Sequence, residues 1–187
     1  MDEREAAMVA GLRRGDPAAF DAAYASYRAR IYAFLVRLTG RRDLAEDLLQ
    51  ETFLRLARHA LRLSADTNLR AWLFTVARNQ ARSYYRWAIL DGERLRELGL
   101  LPRGAPRSPF EDAAAGETER ALERAVASLP VSYREVILLV AVEGIDQEQV
   151  AVMLDLRPPA LRQRLARARA MIAERMPAER TSDVAAG

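Results

Sequence analysis

Apolar residues recur at steps of three and four along almost the whole chain, a period that belongs to helices and leaves little room for strands. Asp16-Pro17 reads as a cap followed by proline at the first helical position. After it, Phe20, Tyr24, Tyr27, Ile31, Phe34, Leu35 and Leu38 mark one buried stripe, which Gly40 closes. Asp43 is expected to cap the next helix, whose stripe is Leu44, Leu48, Leu49, Phe53, Leu56 and Ala60. Residues 62–68 read as a loop. A third long helix starts near Leu69 and runs through Trp72, Leu73, Val76 and Ala77 to about Trp87. Three such helices with short connections make an all-α domain over residues 1–95.

Helix breakers then crowd together as Pro102, Gly104, Pro106 and Pro109, so residues 96–115 are expected to be a flexible linker. The helical pattern resumes at Glu117 to Ser128, restarts after Pro130 with Tyr133, Val136, Ile137, Leu139 and Val140, and stops at Gly144. Asp146 caps a short helix holding Val150, Ala151 and Leu154. Pro158-Pro159 opens a last one with Leu161, Leu165, Ala168 and Ile172 on its inner face. Residues 116–177 thus form a second small helical domain, with residues 178–187 as a frayed tail. The expected fold is all-α: two small helical domains, the C-terminal one a helix-turn-helix.

Several function classes are excluded early. There is no cysteine, which removes disulfides, thiolate zinc sites and thiol redox sensing from this chain. The longest apolar run, residues 136–142, is far short of the roughly 20 residues that a membrane helix needs. Met1-Asp2-Glu3-Arg4-Glu5 lacks the basic start and apolar core of a signal peptide, so a soluble, cytoplasmic protein is expected.

Charge is more telling by position than in total. The net charge is only +3, but every basic residue is an arginine, which stays protonated and lifts the pI to about 9.7. Residues 111–155 carry ten acids against three arginines; residues 157–175 carry six arginines against Glu174 alone. A sign change this sharp suggests a polyanion-binding element on an acidic support. It coincides with the helix-turn-helix, where Arg162, Gln163, Arg164, Arg167 and Arg169 lie off the inner face. Arginine pairs two-pronged with guanine and glutamine with adenine, and both also reach phosphates.

The third helix is a second nucleic-acid candidate. Trp72, Phe74, Tyr84, Tyr85 and Trp87 interleave there with Arg70, Arg78, Arg82 and Arg86, plus Asn79. Trp72 falls on the apolar stripe and is expected in the core, whereas Asn79 and Arg82 point outward. Glu46, Asp47, Gln50 and Glu51 make an acidic ridge beside Leu48. With no histidine to complete a metal site, it suits a basic partner protein. No phosphate loop, nucleophile elbow or acid/base pair is present, so neither an enzyme nor a cofactor is expected.

These motifs resemble those of a known family. Asp47-Leu48-Leu49-Gln50-Glu51-Thr52-Phe53-Leu54-Arg55 is similar to the core-polymerase-binding segment of bacterial sigma factors. Leu69-Arg70-Ala71-Trp72-Leu73-Phe74-Thr75-Val76-Ala77-Arg78-Asn79 resembles the promoter-recognition helix of their extracytoplasmic-function (ECF) group. Leu129-Pro130, Tyr133-Arg134-Glu135-Val136, Glu143-Gly144-Ile145 and Val150-Ala151 match that group's C-terminal domain. The resemblance implies a factor that binds core RNA polymerase and directs it to promoters, held inactive by an anti-sigma factor. It implies that Asp47, Gln50 and Glu51, with Leu48 nearby, meet the polymerase. Asn79, Arg82, Arg78 and Arg86 would face the −10 element, and the loop with Ser64, Asp66 and Asn68 would receive a flipped-out base. The helix from Pro159 would enter the −35 major groove through Arg157, Arg162, Gln163, Arg164 and Arg167. Thr75 and Val76 replace the tryptophan pair of housekeeping factors, which implies weak melting. Arg157-Pro158-Pro159-Ala160-Leu161 departs from the family's usual stretch and removes amides that could have met phosphate. The rival readings are a sigma-like mimic that sequesters an anti-sigma factor and a polymerase-independent helix-turn-helix regulator.

Overall fold

Eight α-helices carry the chain in the computed structural model, which describes residues 3–97 and 116–176, with side chains described except at residues 87–97. They are α1 (Glu3–Arg13), α2 (Pro17–Thr39), α3 (Arg42–His59), α4 (Leu69–Glu97), α5 (Glu117–Ala127), α6 (Val131–Ile137), α7 (Gln147–Leu154) and α8 (Pro158–Ala173). A 3₁₀ turn, Ala60–Arg62, follows α3, and α6 continues as a π-helical segment, Leu138–Val142. The expected linker lies outside the described residues, except for its first two residues, which belong to α4, and its border at Gly116. Among the described residues there is no strand, and no helix is long and apolar enough to cross a membrane.

The helix ends follow local chemistry. Asp16 accepts from the Ala18 amide at 2.9 Å and Pro17 opens α2, so an unpaired first-turn amide is satisfied and the φ angle is preset. Gly40 closes α2 at φ 72°, a left-handed conformation that only glycine adopts without steric cost. Asp43 does not cap α3 as expected. Arg41 stands at the cap position, and Asp43 sits in the first turn, ion-paired with Arg41 and favourably placed against the helix dipole. That guanidinium holds the Asp43 carboxyl below its ordinary range.

Helix α1 carries little apolar periodicity, since its alanine-rich sequence offers only Met8, Val9 and Leu12 as a stripe. All three are buried against α2. The crossing is tight at Gly11, where an added Cβ would stand 2.4 Å from the Ala19 Cβ. Gly11→Ala is therefore expected to cost about 1–3 kcal/mol through overpacking, read as a lower urea midpoint at unchanged slope.

Helices α2, α3 and α4 enclose the N-terminal core of Ile31, Phe34, Leu35, Leu38, Leu56, Leu69, Leu73 and Phe74. In the C-terminal domain α6, α7 and α8 gather around Leu129, Val136, Leu139, Ile145, Val150, Leu161 and Leu165. The two cores join into one apolar cluster, with α4 packed on α7 and α2 on α6. Arg134 fastens this junction. It donates to the carbonyls of Leu38 (3.1 Å) and Leu129 (2.9 Å), and so satisfies a carbonyl in the last turn of α2. Burial pulls its guanidinium below the ordinary arginine value.

Candidate polymerase and nucleic-acid surfaces

The α3 ridge is built by helical spacing. Asp47 and Gln50 are exposed and Glu51 is half-buried, while Leu48 turns inward at 8% exposure. Leu48 therefore anchors the ridge from below instead of facing a partner. The apolar group that does face outward is Leu54, 50% exposed and one helical turn beyond Gln50 and Glu51. The signal for it was present: Leu54 lies off the buried stripe, where an apolar residue has no packing reason to be. Arg55 pairs with Glu51 at 3.1 Å, four residues on. Beneath the ridge, Thr52 donates to the Leu48 carbonyl (2.7 Å) and accepts from Gln80 of α4 (3.1 Å), which locks the two helices in register.

Helix α4 places its candidates on two sides. Asn79, Arg82 and Arg86 are exposed. Arg78, at 4% exposure, is buried against the C-terminal domain, with Nε 2.9 Å and Nη2 3.3 Å from the Glu135 carboxylate. Its Nη1 donates to the Met153 carbonyl (3.1 Å) and to Asn79 Oδ1 (3.2 Å). Of the aromatics, Phe74 is core, Trp72 is half-buried beside His59, and Tyr85 donates to the Thr39 carbonyl at 2.7 Å.

The loop before α4 is held by its own side chains. Ser64 donates to Asp66, and that bond keeps the Asp66 carboxyl below its ordinary value. Asn68 caps α4 by accepting from the Ala71 amide at 2.8 Å, and its Nδ2 donates to Gln149 at 3.2 Å. Glu5 of α1 takes the next free amide, that of Arg70, at 2.9 Å. Ser64 and Asp66 are exposed; Asn68, bonded on both sides, is half-buried in this arrangement.

In the helix-turn-helix, Asp146 caps α7 through the Glu148 amide at 2.8 Å. Asp155 makes the turn at φ 54°, and is the one described residue other than glycine in that region. Along α8 Leu161, Leu165 and Ala168 are buried. Arg157, Arg162, Gln163 and Arg167 are exposed, and Arg169 with them; Arg164 is half-buried. An arginine face beside an anchored inner stripe can enter a groove while staying bound to its domain. Replacing Arg162 and Arg167 together by glutamine is expected to flatten the salt dependence of duplex binding by about 1.8 in log–log slope if both neutralise phosphate. A titration against sodium chloride checks this.

The matches to known proteins follow this geometry. Residues 23–88 match sigma-70 region 2 and residues 119–172 match sigma-70, region 4. The ECF RNA polymerase sigma factor SigM of Bacillus subtilis is 31% identical over 150 residues, covering 80% of this chain and 90% of that one. The chain belongs to the ECF group of sigma-70 factors. A protein of Xanthomonas campestris pv. campestris described as a probable RNA polymerase sigma factor, RfaY, is 37% identical over 143 residues and 73% of this chain. This sigma factor spans 36% of that relative's length. The sigma factor RpoE of Bartonella quintana, solved with the anti-sigma factor NepR, shares the fold with a TM-score of 0.67. It is 24% identical, and the match covers 83% of this chain and 94% of that one.

Proposed function

We propose that this sigma factor docks on core RNA polymerase through the α3 ridge of Asp47, Gln50, Glu51 and Leu54, with Leu48 as its buried anchor. It carries the enzyme to promoters read at two elements. Asn79, Arg82 and Arg86, joined by Arg78 once it is released, face the −10 element, and the loop of Ser64, Asp66 and Asn68 receives an unstacked base. Arg157, Arg162, Gln163 and Arg167 of α8, with Arg164 at the edge, meet the −35 groove. Residues 1–95 and 116–177 act as the two reading units, with residues 96–115 between them and residues 178–187 as a tail. The factor regulates transcription without turnover of its own, works in the cytoplasm, and is restrained by an anti-sigma factor.

The observation that carries this reading is the presence of both surfaces on one chain. An outward acidic ridge lies in the region 2 match and an exposed arginine face lies in the region 4 match. A polymerase-independent regulator has no use for the ridge. The test is competition between the purified chain and a housekeeping sigma factor for bacterial core polymerase. Displacement of the housekeeping factor is expected. A folded, inhibitor-free chain that does not bind overturns the reading.

A further inference from the structure

Among the described residues three ion pairs cross from one domain to the other, and in each the cation belongs to the N-terminal domain. Arg30 binds Glu143 (3.0 Å), Arg37 binds Glu123 (2.7 Å), and Arg78 binds Glu135 (2.9 Å). Arg37 forks onto its carboxylate through Nε to Oε2 (3.2 Å) and Nη2 to Oε1 (2.7 Å), and Arg78 does the same onto Glu135. Arg30 donates from Nε to the Glu143 carboxylate and from Nη2 to its backbone carbonyl, both at 3.1 Å. Such two-pronged contacts are also how guanidinium binds phosphate. Arg30 and Arg37 lie seven residues apart, two turns along one face of α2, and α4 with Arg78 packs beside them. The acidity that precedes α8 in the sequence is therefore turned in part toward a row of arginines on the other domain.

The same contact covers residues placed above at the −10 element. Asn68 is tied to Gln149 and Arg78 is enclosed, while Asn79 stays exposed. The α3 ridge and the arginines of α8 remain outside it.

We propose that Glu123, Glu135 and Glu143 stand in for nucleic-acid phosphates, and that Arg37 and Arg78, with the exposed Arg30 at their rim, form a phosphate-binding row whose partners the C-terminal domain supplies and DNA replaces. This rests on α4 being the DNA-facing helix of the sigma factor. A buried guanidinium stripped of its partner is strongly destabilised, whereas exchanging carboxylate for phosphate keeps every charge-assisted bond. Opening is thus driven by the incoming polyanion, and polymerase can engage the ridge while the cover is still closed.

The absence of cysteine gives clean labelling sites. Leu61 (68% exposed) and Val152 (82% exposed), one on each domain, are changed to cysteine in the full chain and labelled for energy transfer. Transfer is expected to be high in the free protein and to fall when a mixed-sequence single-stranded oligonucleotide saturates it. Glu135→Arg opens the chain without DNA, and the exchange Arg78→Glu with Glu135→Arg closes it again, which separates release of the cover from misfolding. Arg30→Gln with Arg37→Gln lowers the log–log salt slope of oligonucleotide binding by about 1.4, the value for two phosphates on a single strand. Low transfer in the free wild-type chain, an unchanged signal in Glu135→Arg, no recovery in the exchange, or an unchanged salt slope each overturns the proposal. Competition for core polymerase is read separately, so a chain that competes but never closes loses this inference and keeps its function.

Discussion

A chain carrying Asp47→Arg and Glu51→Arg is expected to lose about two to three orders of magnitude in competition for core polymerase while keeping its thermal stability. Asp47 is exposed and has no ion pair among the described residues, so its reversal disturbs nothing within the fold. Among the described residues Glu51 makes surface pairs with Arg55 and Arg58, worth a few tenths of a kcal/mol each. Against a basic partner surface, two reversals replace attraction with like-charge contacts, each costing several kcal/mol where water is excluded. The result that would sink the docking assignment is undiminished competition by the double variant. Leu54→Ala, which alters no charge, should weaken binding more modestly and without changing its salt dependence.

The second large effect is on stability. Phe74 is fully buried and meets Phe34 edge-to-face, with ring centroids 5.2 Å apart and planes at 83°. It holds α4 onto α2, and Leu73 and Ala77 of the same face are also fully buried. Phe74→Ala removes the ring and leaves a cavity, a cost of about 3–5 kcal/mol. A domain of this size has about 5–15 kcal/mol in total, so much of that margin goes. Urea unfolding followed by circular dichroism should show the loss. Polymerase competition should fall with it, although Phe74 never touches the surface. A midpoint close to that of the parent chain would mean that the core is not organised around this pair.

Much of the fold was legible because its signals are local. Asp16, Pro17, Gly40 and Asp146 act within a few residues of themselves, and the stripes of α2, α3 and α8 need only a helical period. Helix α1 was not legible because three apolar residues among alanines are too few to define a face. The recognition face of α8 could be read as everything that Leu161, Leu165 and Ala168 leave outside. The roles of Arg78 and Asn68 could not. Their partners, Glu135 and Gln149, lie 57 and 81 residues away in sequence, and no periodicity reports a contact at that range. Charge counting suggested an acidic support for the DNA-binding helix but could not say that three of its glutamates turn toward the other domain. Glu143 is one of these, and burial pushes its carboxyl above the ordinary value even with Arg30 beside it.

The π-helical segment gives one residue an angular task. In an uninterrupted α-helix, Glu135 and Glu143 would be eight steps apart at about 100° each, which leaves them about 80° out of phase. Within Leu138–Val142 the Glu143 amide reaches the Leu138 carbonyl, five residues back, at 2.9 Å. One residue is thereby absorbed, and the two glutamates take the phase of residues seven apart, within about 20° of alignment. That is also the separation of Arg30 and Arg37 on α2. Deleting Ala141 alone would restore ordinary winding with Glu143 seven residues from Glu135, and would therefore leave Glu143 facing Arg30. In this protein the π-turn acts as a phase absorber: it takes up one residue beyond ordinary winding, so the two glutamates stay in line for the contact between domains.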